Sequence, residues 1–129
     1  MNLNKAFLLF AALGLTPIAL SYGAVPDASL RWLFDIDASS VNASHIFRAV
    51  MGLYLALVLF WIIAAFRAPL QVPALWSLMV FMLGLAAGRL LSLVLDGFPH
   101  PLLLVYLLLE VTMGVLALLL LRRAAAPVN

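Results

Sequence analysis

Four long apolar stretches occupy most of this chain, and little is left over to build anything else. The hydrocarbon core of a bilayer is about 30 Å thick, so a helix crossing it needs about 20 largely apolar residues. Stretches of that length run at about 6–23, 44–66, 72–96 and 101–121. Their content agrees with a lipid-facing surface. Of 129 residues, 67% are hydrophobic and 9% charged, and the mean hydropathy is +1.23. A soluble domain carries about 25% charged residues because its surface faces water. The expected fold is an all-α membrane protein, a four-transmembrane-helix bundle folding as a single domain over 1–129.

Other function classes are excluded early. The net charge is +2, but the basic residues are scattered along the chain, which leaves no footprint for nucleic acid. There is no cysteine, so disulfides, thiolate metal sites and thiol redox chemistry are ruled out. The two histidines, His45 and His100, lack the spacing of a metal pair, and neither a metal nor a cofactor is expected.

The flanking charges give a topology. Lys5, Arg67 and the pair Arg122 and Arg123 fall on one side if all four stretches span. The connections at 24–43 and 97–100 hold Arg31 as their only basic residue, beside Asp27, Asp35 and Asp37 in the first. The positive-inside rule then makes both termini cytoplasmic. The first stretch has a second reading: Lys5, an apolar run and Ser21-Tyr22-Gly23 also resemble a signal peptide with its cleavage site. A membrane helix is the expectation adopted. It contains Pro17, which deprives the carbonyl of Leu13 of its usual partner and leaves Thr16 or a neighbouring helix to satisfy it.

The first connection is the sizeable extramembrane piece. Its Ser29-Leu30-Arg31-Trp32-Leu33-Phe34 segment suggests a short helix or turn along the outer surface. Asp37 or Ser44 is the expected cap of the helix that follows. A terminal stretch at 124–129 is expected to fray. Gly84 and Gly88 form a small-x-x-x-small pair, and Ala49, Gly52 and Ala56 line a second stripe. Such stripes let helices approach closely, within one bundle or between two copies.

A charged side chain at the centre of a membrane helix costs about 2.5 to 3.5 kcal/mol on the insertion scale and calls for a partner. Arg48, Arg89 and Glu110 stand in this position. At 1.5 Å per residue, Arg48 lies ~6 Å below Ser44, Arg89 ~10 Å below Asp96 and Glu110 ~14 Å below Pro101. All three fall in the outer half of the membrane, and arginine is long enough to close the remaining difference. Helical spacing adds His45 beside Arg48, Ser92 and Asp96 beside Arg89, and Tyr106 beside Glu110. The candidate ligand-binding residues are therefore His45, Arg48, Arg89, Ser92, Asp96, Tyr106 and Glu110.

One reading of this cluster is an ion-pair network that sets helix register. The other notes that two arginines facing one carboxylate leave a positive charge, which the anionic head of a lipophilic molecule could balance. No catalytic residue is assigned. Two adjacent arginines disfavour proton abstraction by Glu110, and Ser92 has no histidine on its own face.

Several stretches resemble a known family. His45-Ile46-Phe47-Arg48-Ala49-Val50-Met51-Gly52-Leu53-Tyr54, Gly88-Arg89-Leu90-Leu91-Ser92 and Asp96-Gly97-Phe98-Pro99, with Glu110, are similar to the bacterial membrane family designated domain of unknown function 4345. The resemblance spans about 5–123. It implies a four-helix protein of the bacterial inner (cytoplasmic) membrane and assigns no reaction. The chain is more distantly similar to the DoxX-like four-helix proteins, some of which are linked to quinone or thiosulfate chemistry; the lack of cysteine carries none of that over. It does not resemble small multidrug transporters, whose essential glutamate lies in the first helix.

The function expected first is binding of a lipophilic small molecule or membrane lipid, with an anionic head as the favoured case, at the polar cluster. The alternative is a non-catalytic accessory subunit of a larger membrane complex or a homo-oligomer. An enzyme on a membrane-soluble substrate comes third. Fold alone does not separate these.

Overall fold

The computed structural model describes residues 2–127, and those residues form five helices in sequence: α1 (Leu3–Gly23), α2 (Pro26–Phe34), α3 (Val41–Ala65), α4 (Ala68–Leu95) and α5 (Pro101–Ala125). The four long ones have the length and composition to cross a membrane. The protein is thus an all-α, multi-pass membrane protein. Its contacts divide it into two compact units, at 1–66 and 67–129.

In the first unit, α1 and α3 run antiparallel. Near the start of α1 the Lys5 ammonium sits 4.2 Å from the centre of the Phe66 ring, just past the end of α3. At the other end Gly23 is pressed against Met51, where a side chain would collide with the methionine Cβ. Beside it Tyr22 gathers three rings, stacking on Phe34 and Phe47 and meeting Tyr54 edge-on at 5.7 Å. Such pairs prefer offset or edge-to-face geometry, with centroids about 4.5 to 7 Å apart. This cluster ties α1, α2 and α3 together at one end.

Pro17 does not break α1. Thr16 donates to the carbonyl of Ala12 at 2.7 Å, four residues back, so it does not serve the Leu13 carbonyl that the proline ring releases. A threonine hydroxyl reaches the carbonyl a full turn before itself.

Helix α2 is the short surface helix expected in the first connection. Pro26 takes the first turn, where its missing N–H costs nothing. Pro26, Leu30 and Phe34 are buried along one stripe, while Trp32 is 85% exposed. Asp35 ends the helix in the left-handed conformation, at φ 56°, which short polar side chains tolerate.

The cap of α3 corrects an expectation. It is Ser40, whose hydroxyl accepts from the Ala43 backbone N–H at 3.1 Å, and not Asp37 or Ser44. The helix therefore starts at Val41, three residues before the expected 44. Asp37 instead accepts from the Ser39 hydroxyl at 2.6 Å and the Ser39 N–H at 3.0 Å, closing the turn that leads into the cap.

The second unit is the antiparallel hairpin of α4 and α5. Gly114 lets the two backbones approach, because a Cβ there would run into the Leu83 side chain. Within this unit nothing lies within 4 Å of where a Cβ would stand on Gly84 or Gly88. The small-residue pair visible in the sequence is not where this hairpin closes. α4 begins at Ala68, before the expected 72, because Pro69 occupies an early position that proline tolerates. α5 continues to Ala125, past the expected 121. Arg122 and Arg123 lie in its last turn, where cations complement the helix dipole. The fraying expected at 124–129 is thus displaced from Ala124 and Ala125, and 128 and 129 lie outside the described residues.

Candidate functional site

The polar residues of the second unit meet near the end where α4 turns into α5. The turn is built from local rules. Asp96 ends α4, and Gly97 takes φ +93°, a conformation L side chains rarely adopt. His100 caps α5, its Nδ1 accepting from the Leu102 N–H at 3.1 Å, with Pro101 at the first helical position. That assigns His100 a structural task. Phe98 between them is 90% exposed.

Within the helices that flank this turn, the Arg89 Nε–H is shared between the two carboxylate oxygens of Glu110, at 2.9 and 2.8 Å. The side chains are 22% and 8% exposed respectively. Arg89 Nε thus closes the difference in depth between the two positions. Its guanidinium carbon also lies 5.7 Å from the centre of the Tyr106 ring, one turn before Glu110 on α5. A cation within about 6 Å of an aromatic face is attracted by the ring quadrupole. One turn beyond Arg89, Ser92 donates to an Asp96 carboxylate oxygen at 2.7 Å.

Two of these side chains, those of Arg89 and Ser92, border an open cavity of about 100 Å³. Arg89 and Ser92 are the polar residues of its wall; Gly97, Pro99, Leu103 and Leu107 are among the rest. The cavity wall, apolar elsewhere, therefore offers one anchored guanidinium and one hydroxyl.

The remaining two candidates belong to the first unit. Arg48 donates through Nη1 to the backbone carbonyls of Gly23 and Ala24, at 2.9 and 3.3 Å. The last carbonyls of α1 have no partner within their own helix, and a cation there also complements the negative end of the helix dipole. His45, one turn earlier on α3, is exposed. Of the seven residues singled out from sequence, the second unit brings together Arg89, Tyr106 and Glu110, and separately joins Ser92 to Asp96. The carbonyl partners of Arg48 were not anticipated, because backbone groups carry no residue signature. The leucine walls were also missed, since leucine is ordinary throughout these helices. Gly97, directly after Asp96, was the one available sign of a tight turn.

A second charged cluster lies outside the spans. Arg31 on α2 donates to Asp27 at 2.8 Å and to Asp37 at 3.4 Å. The hydrogen bond and charge of Asp27 hold Arg31 above its ordinary pKa, with Asp37 adding to the effect. Asp37 is held below the usual carboxylate range, first by the Ser39 hydroxyl and then by the Ser39 N–H. All three side chains are open to water, so the cluster is a surface clamp on α2.

No match to a curated protein or to a solved structure was found. A family model does match, over residues 3–121, which includes every residue of the hairpin site described above. The chain belongs to the family described as a domain of unknown function (DUF4345).

Proposed function

We propose that this membrane protein binds a lipophilic small molecule or membrane lipid, with the polar end of that molecule in the α4–α5 cavity. The observation that carries the reading is the placement of Arg89, held by Glu110 and half-buried in the wall of an otherwise largely apolar cavity near the end of a membrane hairpin. Intramembrane ionisable residues that border a cavity mark binding or transport paths more often than not. Ligand sites are typically apolar clefts carrying a few placed polar groups. Binding is favoured over catalysis because the one carboxylate beside the cavity wall, Glu110, is buried and held by Arg89 instead of being presented to a substrate.

The same reading places the chain in a bacterial cytoplasmic membrane with both termini inside. Its support is that each antiparallel unit carries its basic flanks at one end: Lys5 beside Phe66 in the first, Arg67 with Arg122 and Arg123 in the second.

Small molecules that co-purify with the protein, identified by mass spectrometry, test the binding role. The expected result is a lipophilic species enriched with the wild type and lost from Arg89→Ala, Glu110→Gln and Leu107→Trp, the last of which fills the cavity and leaves both charged residues in place. Retention of the same species by all three folded variants would overturn the proposal. Absence of any such species would favour an accessory subunit of a larger membrane complex.

A further inference from the structure

The charge arrangement around the cavity carries the reading further, to the class of head group. Resting on the binding role proposed above, we infer that the cavity takes a small uncharged head, such as a hydroxyl or primary amide, carried on a single hydrocarbon chain.

Size comes first. A cavity of about 100 Å³ exceeds the roughly 10–15 Å³ that holds one water on the same measure. A terminal group of a few heavy atoms fits there. The cavity opens at the hairpin surface, so a single chain can leave it along the apolar exterior of α4 and α5, where Leu90, Leu91 and Leu108 are exposed.

Charge comes second. A charged head gives up its hydration on entering and needs an unmatched counter-charge to compensate. An anion would meet Arg89, but that guanidinium already faces the Glu110 carboxylate at 2.8 Å. The anion would then stand close to two carboxylates, Glu110 behind Arg89 and Asp96 behind Ser92. A cation would be pressed against Arg89, the one charged group of the wall. An uncharged head avoids both costs. The Ser92 hydroxyl donates its proton to Asp96 at 2.7 Å, so its oxygen can accept from a hydroxyl or amide N–H. The oxygen of that head then lies in the positive field of Arg89. This assignment departs from the anionic head suggested by counting Arg48 and Arg89 against Glu110, because within the hairpin the positive charge is already matched.

The experiment is native mass spectrometry of the full chain in mild detergent, with a chain-length-matched set: primary alcohol, primary amide, fatty acid, alkylamine and lysophospholipid. The alcohol and amide are expected to bind about tenfold tighter than the acid, amine or lysophospholipid, a difference of one decade in Kd. That binding is expected to be lost in Leu107→Trp, with Leu103→Phe as a second cavity-filling variant should the first fail to fold. If the acid, the amine or the lysophospholipid equals or exceeds the neutral heads and is still lost from the filled variant, the head-group inference is overturned while the binding role stands. If no member binds, or if filling the cavity changes nothing, the binding role itself is overturned.

Discussion

Arg89 and Glu110 are joined through a single nitrogen, the Nε of the guanidinium, which contacts both carboxylate oxygens at 2.9 and 2.8 Å. The pair links α4 to α5 at a point where Glu110 is almost fully buried. Its energetic signature follows from that burial. Two charges removed from water gain little over a well-packed apolar pair, yet removing one partner strands the other. Glu110→Ala and Arg89→Ala should each destabilise the α4–α5 hairpin by about 3–5 kcal/mol. The double change Arg89→Met with Glu110→Leu should cost much less than the sum. Denaturant titration of helicity in detergent checks this, and additive losses would show that the pair is not coupled.

This contact was legible from sequence because depth in a membrane can be counted. Charges in lipid seek partners, and rise per residue places Arg89 and Glu110 within one arginine length of each other. Position around the helix was not legible in the same way, because helices apolar on every side have no periodicity to read. For this reason Gly84 and Gly88 stood out by spacing, while Gly114, a lone glycine among leucines, turned out to be where the hairpin closes. The start of α3 was missed for a smaller reason. Ser39, Ser40, Asp37 and Ser44 are all competent caps, and only backbone geometry chooses Ser40.

The two glycine sites separate cleanly by substitution. Gly114→Val places methyl groups where Leu83 lies, and overpacking of this kind costs about 1–3 kcal/mol. Leu83→Ala in the same protein should recover most of the loss. Gly88→Ala meets no neighbour within the hairpin and removes a helix-weakening residue, with a gain of up to about 1 kcal/mol. Thermal unfolding in detergent reads both. A large loss at Gly88→Ala would mean that another helix packs on that face.

Arg48 should act as a latch between α3 and the end of α1. Arg48→Ala leaves the Gly23 and Ala24 carbonyls without that donor, at a cost of about 1 kcal/mol for a partly solvated bond. Arg48→Lys keeps the charge and loses the planar fork, so it should fall between wild type and alanine. Hydrogen exchange over the last turn of α1 is the sensitive readout. Unchanged protection in Arg48→Ala would remove the latch.

Asp37 makes the outer turn sensitive to acid. Its pKa is depressed in the folded protein by the Ser39 hydroxyl and N–H, so the ionised form is the one that folding favours. The contribution is present above the unfolded aspartate pKa and is lost as pH falls through the lower folded value. Acidification below the ordinary carboxylate range should loosen 37–40, seen as faster proteolysis or exchange there, while neutral and mildly basic conditions leave it ordered. Asp37→Asn should abolish most of this dependence. A turn equally protected across that range in the wild type would contradict the assignment.

The absence of cysteine makes topology directly measurable with single introduced thiols. The antiparallel arrangement of α1 with α3 puts Lys5 and Phe66 at one end of the first unit and the Tyr22 cluster with α2 at the other. In the second unit, the ion pair and the Gly97 turn lie at the end opposite Arg122 and Arg123. Basic flanks are retained on the cytoplasmic side during insertion. Ser39→Cys and Phe98→Cys, both in exposed connections, should therefore react with a membrane-impermeant maleimide added outside intact spheroplasts. Ala126→Cys should react only after the membrane is opened. Labelling of Ala126→Cys from outside would invert the topology, and the cavity would then face the cytoplasm. Any ligand would have to arrive from the other leaflet, which is why this measurement governs how the binding experiments are read.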